Sequence, residues 1–338
     1  MNEQPAVWFP AIRTNTGTDV FTRRLVKGLN EQGIKAGVTW LPLRAEYAPW
    51  TVRVPKPPEW ANVVHVNTWL HPRFIPKNLP AIATIHHAVH HPDTLGYKGW
   101  LRAAYHKHWI APMERRVMRR ANKVVAVSQF VADTAKKTLV DVPIQVIYNG
   151  IDTNVFTPGT RVRKPTEPFR LLYVGSWMAR KGVDLLAPIM SELGDEYELH
   201  YTGGPTSEKD KATMLPNMRD IGRLNGDAEV AKAMQNADAL MFPSRSEGFG
   251  LVAAEAMACG LPVFTSAGSS VIEVIGHEET GYLCKSDNIA DFTQAIRHLA
   301  SNDSLRRKMS STGRLSAKSR FSENIMLNAY TLQCYTQV

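Results

Sequence analysis

Residues 244–262, SRSEGFGLVAAEAMACGLP, form the centre of a strand, helix, strand unit in this chain of 338 residues. The preceding residues 237–243 are an apolar run closed by Pro243, which is typical of a strand buried in a parallel sheet. Residues 251–259 are strong helix formers, and Gly260 and Pro262 end the helix before a second apolar strand begins. The stretch therefore predicts a βαβ unit of an α/β fold.

Two glutamates bracket the start of the predicted helix. Glu247 lies in the loop after the strand, where open α/β sheets bind ligands, and Glu255 is the one charged side chain of an apolar helix. The amides of Phe249, Gly250 and Leu251 lie between them and favour an anion, because they form the positive end of the helix dipole. Carboxylates accept hydrogen bonds from sugar hydroxyls, so a carboxylate on each side of an anion-binding group of amides suits a nucleotide-sugar. For either glutamate alone, a helix-dipole or core-pairing role is the simpler interpretation.

Glu247 and Glu255, eight positions apart around Gly-Phe-Gly, resemble the E-x7-E signature of the family 4 retaining glycosyltransferases. The resemblance covers nearly the whole chain, including the sequence IYNGID at residues 147–152. It implies the α/β architecture called GT-B, in which two Rossmann-like doubly wound domains face a cleft and a C-terminal helix crosses back to the first. The implied acceptor domain is residues 1–158 with 321–338, and the implied nucleotide-sugar donor domain is residues 159–320.

Charge is distributed unevenly along the chain. Residues 1–158 contain 20 Lys+Arg and 10 Asp+Glu, a net charge of 20 − 10 = +10. Residues 159–338 contain 20 Lys+Arg and 21 Asp+Glu, a net charge of 20 − 21 = −1. This asymmetry predicts an anionic partner for the first half, namely membrane lipid, a phosphorylated acceptor or nucleic acid.

Several features favour a cytoplasmic location. The N-terminus lacks the basic region of a secretory signal, and no apolar run approaches the roughly 20 residues that span a bilayer. The three cysteines are odd in number and lack metal-ligand spacing, which favours a reducing compartment.

The first half repeats strand and helix patterns. A strand at residues 7–10 is followed by Gly17 and a helical pattern over residues 20–32. A single glycine in such a loop is by itself a weak signal of nucleotide binding. The family resemblance, however, implies that the loop containing Gly17 approaches the donor phosphate. The proline-rich residues 42–58 predict a long surface loop. Further strands are predicted at residues 37–41, 63–67, 82–86, 124–128 and 145–148.

Histidines cluster after the fourth predicted strand. The spacing of His86 and His90 would permit a metal site on a helix, but Pro92 and the strand-end position disfavour one, so no metal is expected. His87, His90 and His91 are assigned structural or solvated roles by default. The resemblance identifies His86 with the family's strand-end histidine, whose neutral imidazole hydrogen-bonds the donor sugar.

Residues 99–121 combine basic and aromatic side chains in a mainly helical pattern. Two interpretations stay open, a surface for an anionic membrane or acceptor and an ordinary packed helix with a solvated basic face. The basic residues concerned are Arg102, Lys107, Arg115, Arg116, Arg119 and Arg120.

The second half carries the remaining expected donor contacts. Arg180 and Lys181 precede a helix and suit a diphosphate clamp. The serine-containing loop at residues 266–274 resembles the family loop that closes on the donor. The resemblance implies further donor contacts at Ser176, Gly203, Gly222, Arg223, Leu224 and Val252.

The function implied by the resemblance is sugar transfer with retention of configuration, without metal or cofactor. The donor is expected to be a UDP- or GDP-sugar, and the acceptor a glycan or lipid-linked intermediate of cell-envelope polysaccharide or lipopolysaccharide. The implied catalytic residues are His86, Lys181 and Glu247, with the leaving diphosphate taking the acceptor proton. Two alternatives stay open, a nucleotide-sugar epimerase of the same architecture and a basic nucleic-acid-binding protein, although no nucleic-acid motif is present.

Overall fold

The computed structural model describes residues 4–97 and 99–338 and divides into two compact units. The first is Met1–Gly150 with Glu323–Val338, and the second is Ile151–Ser322. Each contains a six-stranded sheet whose neighbouring strands are parallel, with helices packed against it. The predicted α/β class with two doubly wound sheets is confirmed.

The sheet of the first unit has the strand order β2-β1-β3-β4-β5-β6. Its two central strands are mostly apolar and buried, as a parallel sheet covered on both faces requires, and their polar residues His65 and Thr84 lie within hydrogen-bonding distance of each other, at 2.7 Å. The strands are β1 Val7–Ile12, β2 Ala36–Leu41, β3 Val63–Asn67, β4 Ala81–Ile85, β5 Lys123–Ala126 and β6 Gln145–Val146. The helices are α1 Gly17–Glu31, α2 Arg44–Tyr47, α3 Trp100–Tyr105, α4 Ala111–Arg120 and α5 Gln129–Thr138, with a π-helical turn, His106–Ile110, between α3 and α4.

The last helix of the chain, α12 (Glu323–Gln333), packs on the first unit. Its buried Met326, Leu327 and Tyr330 belong to the same core as β1 and α1. The return of the chain to the first unit was predicted, although the predicted helix extended two residues further at each end. Gly150 permits the return, because a Cβ there would lie 2.7 Å from the Cα of Glu323.

The sheet of the second unit has the order β12-β11-β10-β7-β8-β9. The chain enters at β7 and builds outward on both sides, so β7 and β10 are the neighbours at which the strand order reverses. The strands are β7 Phe169–Tyr173, β8 Tyr197–Tyr201, β9 Met218–Asp220, β10 Ala239–Phe242, β11 Val263–Ser266 and β12 Gly281–Cys284. The helices are α6 Leu186–Leu193, α7 Asp227–Gln235, α8 Leu251–Ala258, α9 Val271–Val274, α10 Ile289–Ala300 and α11 Asp303–Arg320.

Local structure differs from the sequence prediction at two places. Residues 42–58 were predicted as one loop, but they contain α2 and a 3-10 turn, Pro49–Thr51, because Pro49 is compatible with the first turn of a helix. Strand β12 was not predicted from its four residues. Within the described residues, no helix combines the length and apolar composition that a bilayer-spanning segment needs.

Candidate active site

The predicted donor-site residues follow four neighbouring strands of the second sheet. Because these strands are parallel, their carboxyl ends meet at one edge, where α/β sheets place their ligands. Ser176, Arg180 and Lys181 follow β7, Gly203 follows β8, Gly222, Arg223 and Leu224 follow β9, and Glu247, Phe249, Gly250, Leu251, Val252 and Glu255 follow β10.

Lys181 and Glu247 form an ion pair at the point where the strand order reverses. Lys181 Nζ lies 2.5 Å from Glu247 Oε1, and the Ser244 hydroxyl donates to the same oxygen at 2.5 Å. Only 16% of the Lys181 side chain and 9% of the Glu247 side chain are exposed. Glu247 Oε2 has no hydrogen-bond partner within the described part of the chain, so it is available to a ligand.

The charges around this pair favour an ionised Glu247. Burial by itself would raise the pKa of Glu247, but the positive charges of Lys181 and Arg180 and the hydrogen bonds from Lys181 and Ser244 outweigh it and lower the pKa. Burial also lowers the pKa of Lys181, and Glu247 opposes that change. The site therefore presents a carboxylate that accepts hydrogen bonds beside buried positive charge.

Gly182 lets the loop that carries Lys181 approach the end of β10. Its φ of +72° lies in the left-handed region, and a Cβ would be 2.1 Å from the carbonyl oxygen of Pro243. Lys181 Nζ also lies 5.5 Å from the ring of Phe242. The close approach of Gly182 to the backbone of Pro243 thus positions Lys181.

Arg245 connects three segments of the site and was missed by the sequence analysis. Its guanidinium binds both carboxylate oxygens of Asp184 at 2.7 Å, the carboxylate of Asp287 and the carbonyl of Ala179. In return, Arg180 donates to the carbonyl of Ser246. The loops after β7 and β10 are therefore joined by reciprocal arginine contacts.

The N-terminus of α8 lies beside this pair. In the described residues, no acceptor is found for the amides of Gly250, Leu251 and Val252, which leaves them available to an anion. Phe249 is buried with its ring 5.3 Å from that of Phe321, and Glu255 is buried within the helix.

Serines and an aspartate fix the surrounding loops. Ser269 accepts the amide of Glu247 at 3.0 Å, and Ser270 donates to its carbonyl at 3.1 Å, so the serine-containing loop after β11 supports Glu247 directly. Asp220 accepts the amides of Gly203 at 3.1 Å and Gly222 at 2.8 Å, which joins two predicted contact points. Arg223 is exposed and Leu224 half-buried in the same loop, and Ser176 is exposed after β7.

In the first unit, Gly17 begins α1 and is exposed. The preceding loop is closed by the buried Asp19, which accepts the amide of Asn15 at 2.9 Å and the hydroxyl of Thr14 at 2.7 Å. Sequence reasoning did not assign Asp19, although an aspartate in a first helical turn is a common capping signal.

His86 directly follows β4 and packs against Phe21, with ring centroids 4.6 Å apart. Burial lowers the pKa of His86 to about 4, so the imidazole is neutral at physiological pH. His90, assigned a structural or solvated role by default, lies 2.8 Å from a buried carboxylate, that of Glu114. Within the described residues, no group of three or more histidine, cysteine, aspartate or glutamate side chains is arranged to hold a metal ion.

The predicted basic residues of the first unit separate into two groups. Arg115 donates to the carbonyls of Leu139 and Thr138, and Arg120 donates to the carbonyl of Pro76, so both are half-buried and serve the fold. Arg102, Lys107, Arg116 and Arg119 are exposed.

Two family models match the chain. The model described as Glycosyltransferase Family 4 matches residues 16–155, and the model described as Glycosyl transferases group 1 matches residues 160–316. An uncharacterized glycosyltransferase of Methanocaldococcus jannaschii is 28% identical over 240 residues, covering 70% of this chain and 63% of that protein. A glycogen synthase of Mycobacterium tuberculosis is 28% identical over 290 residues, covering 81% of this chain and 68% of that protein. The chain thus spans about two thirds of the length of these relatives.

Solved structures share the fold. Sucrose-phosphate synthase from Thermosynechococcus elongatus superposes with a TM-score of 0.78 at 20% identity, covering 98% of both chains. The Anabaena protein HepE, solved in complex with UDP and glucose, has a TM-score of 0.72 at 15% identity, covering 98% of this chain and 100% of that one. At these identities the likeness concerns the fold alone.

Proposed function

The chain belongs to the family 4, group 1 glycosyltransferases of GT-B architecture, and we propose from this premise that it is a retaining hexosyltransferase. Its donor is a UDP- or GDP-sugar, and its acceptor is a glycan or lipid-linked intermediate in the synthesis of cell-envelope polysaccharide or lipopolysaccharide. The observation that carries the proposal is the Lys181–Glu247 pair beside the available amides of α8.

Each part of a nucleotide-sugar has a counterpart at this edge of the second sheet. Lys181, Arg180 and the α8 amides would hold the diphosphate and stabilise its charge as the sugar leaves. Glu247 Oε2 would accept a hydroxyl of the donor sugar, and Glu255 a ribose hydroxyl.

Retention follows from front-face displacement, in which the leaving diphosphate oxygen accepts the proton of the attacking hydroxyl. This reaction requires no protein nucleophile, metal or cofactor. Neutral His86 would hydrogen-bond a substrate hydroxyl rather than transfer a proton, because its low pKa disfavours the protonated ring.

A panel of UDP-, GDP- and ADP-sugars tests the proposal. We expect nucleotide release to rise when a suitable acceptor glycan is present, and the product to keep the anomeric configuration of the donor by NMR. Glu247→Gln should slow transfer at least about 100-fold, because loss of its charge leaves Lys181 buried without its partner.

Two outcomes would contradict the proposal. Conversion of the nucleotide-sugar into its epimer without acceptor would favour the epimerase alternative. Inversion at the anomeric carbon would exclude the retaining mechanism while leaving sugar transfer intact.

The exposed part of the first unit supports contact with an anionic membrane surface. The exposed basic residues Arg102 and Lys107 are accompanied by Trp100 and Leu101, whose exposed fractions are 78% and 66%. Trp50, 66% exposed, adds a further aromatic ring 6.3 Å from that of Trp109. Aromatic and basic residues together are typical of membrane interfaces. The enzyme would then act at the cytoplasmic face of the cell membrane.

A further inference from the structure

The loop after β11 binds the backbone of Glu247 through two serine side chains. Ser269 Oγ accepts the amide of Glu247 at 3.0 Å, and the hydroxyl of Ser270 donates to the carbonyl of the same glutamate at 3.1 Å. Ser270 is fully buried and Ser269 is half-buried. The two serines lie 22 and 23 positions from Glu247 in the sequence. Both polar groups of the Glu247 backbone are therefore held by one segment that is distant along the chain.

Ser269 makes its contact from a backbone conformation that disfavours a side chain. Its φ is +51°, in the left-handed region, where the Cβ of any residue other than glycine crowds the backbone. A glycine at this position would form the same turn without strain, but it would have no hydroxyl to accept the Glu247 amide. Residues held in such strained conformations cluster at functional sites. The hydroxyl, rather than the turn, therefore accounts for a serine at this position.

Glu247 is held at its side chain as well as at its backbone. Lys181 and Ser244 both donate to Oε1 of its carboxylate. Val271, at the start of α9, packs beside the same turn, because a Cβ at Gly250 would lie 3.1 Å from its Cγ1. With the backbone and Oε1 fixed, the direction of Oε2 is determined as well. Such support is what a group that must meet one particular substrate atom requires.

We propose that Ser269 and Ser270 are positioning residues that act through Glu247 on the sugar of the donor. By fixing the Glu247 backbone they direct Oε2 towards a sugar hydroxyl, whereas the diphosphate is held mainly by the amides of α8. The inference rests on the proposed function, because it names the residues that orient a group assigned there to the donor sugar. A loop that served only the stability of the second unit would affect sugar and diphosphate binding alike.

Isothermal titration separates the two parts of the donor. The probes are the free nucleoside diphosphates UDP and GDP and the nucleotide-sugars UDP-glucose, UDP-N-acetylglucosamine and GDP-mannose. Ser269→Gly and Ser270→Ala should each raise the Kd for the nucleotide-sugar that the wild type binds by about tenfold, the effect of one lost hydrogen bond. The Kd for the free nucleoside diphosphate should stay unchanged. Glu278→Gly is the matched control and should change neither Kd, because Glu278 also has a left-handed φ, +61°, but is exposed in the turn between α9 and β12.

Ser269→Ala distinguishes the hydroxyl from the backbone strain. Alanine lacks the hydroxyl and keeps the strain of the left-handed φ, whereas glycine lacks the hydroxyl and relieves the strain. Ser269→Gly should therefore unfold at a higher urea concentration than Ser269→Ala, while the two variants bind the nucleotide-sugar equally weakly. In a Glu247→Ala background, Ser269→Gly should cause no further loss of nucleotide-sugar affinity, because no carboxylate is left to orient.

Three results would overturn the inference: an unchanged nucleotide-sugar Kd in Ser269→Gly, an equal rise in the Kd of nucleotide-sugar and free nucleoside diphosphate, or a full loss of affinity on adding Ser269→Gly to Glu247→Ala. Each of these would leave the proposed function standing, because the wild type still binds its donor. A wild type that binds none of the five probes would instead count against the proposed function, and against the inference with it.

Discussion

Gly182 shows how a single residue determines the position of the charged site. A side chain at this position would collide with the carbonyl oxygen of Pro243. A residue other than glycine would also have to adopt the left-handed φ found here, which costs about 1–2 kcal/mol. The backbone of the Lys181 loop can therefore reach β10 only through glycine. The ion pair between Lys181 and Glu247 depends on that approach.

Gly182→Ala should weaken donor binding by at least about tenfold, because the displaced loop moves Lys181 away from Glu247. Isothermal titration with the nucleotide-sugar measures the change. Gly33→Ala is the matched control, since φ there is +79° but no atom lies within 4 Å of the added Cβ. It should lower stability and leave donor affinity unchanged. Equal losses of affinity in both variants would refute the positioning role.

Two histidines whose pKa is lowered predict how the stability of the first unit depends on pH. Burial, assisted by the neighbouring His86, lowers the pKa of His65 from 6.5 to about 3, and burial lowers that of His86 to about 4. The unfolded chain therefore binds more protons than the folded chain below pH 6.5. The free energy of unfolding should fall as pH drops from 6.5 towards 4, by up to about 1.4 kcal/mol per pH unit for each histidine, and level off below the folded pKa values.

Urea denaturation at several pH values between 6.5 and 4 measures how the free energy of unfolding depends on pH. His65→Gln should lose stability at neutral pH, because His65 bonds Tyr335 and Thr84 at 2.7 Å each, but its stability should depend less on pH. His108→Gln should keep the wild-type slope. A His65→Gln slope equal to that of the wild type would assign the acid sensitivity to other groups.

At the scale of elements, Arg245 joins the loop after β7 to the loop after β10. Arg245→Lys should raise the KM for the donor about tenfold with little change in kcat, because lysine cannot bind Asp184 through two parallel hydrogen bonds. Initial rates at varied donor concentration provide the measurement. Arg297→Lys, which affects another arginine of the second unit that bonds Glu192, should leave the KM unchanged. A fall in kcat alone would contradict a positioning role.

The repeating strand and helix patterns predicted the parallel sheets and the edge at which Lys181 and Glu247 meet, because local periodicity and strand direction determine both. The contacts of Arg245 could not be predicted, since Asp184 and Asp287 lie 61 and 42 positions away in the sequence. The environment of His90 was hidden for the same reason, as its partner Glu114 is 24 positions distant. The helical turn of α2 was missed because the prolines around it indicated a loop.

At the scale of the whole molecule, the net charge of +10 in residues 1–158 and −1 in residues 159–338 predicts an anionic partner for the first half. Exposed aromatic residues lie in the same half, so we expect binding to vesicles that contain phosphatidylglycerol and weak binding to pure phosphatidylcholine. Each exposed basic residue near an anionic surface contributes about 1 kcal/mol, and an exposed tryptophan adds apolar burial.

Co-sedimentation with vesicles tests this expectation. The double variant Arg102→Gln/Lys107→Gln should bind phosphatidylglycerol vesicles at least about tenfold more weakly, and Trp50→Ala/Trp100→Ala should also lose binding at raised salt. The matched controls lie on α11, where Arg307→Gln/Lys308→Gln changes exposed charge and Leu315→Ala removes a side chain that is 68% exposed. If the controls and the first-unit variants lose binding equally, attraction is nonspecific. If none loses binding, the basic residues of the first unit are only a solvated face.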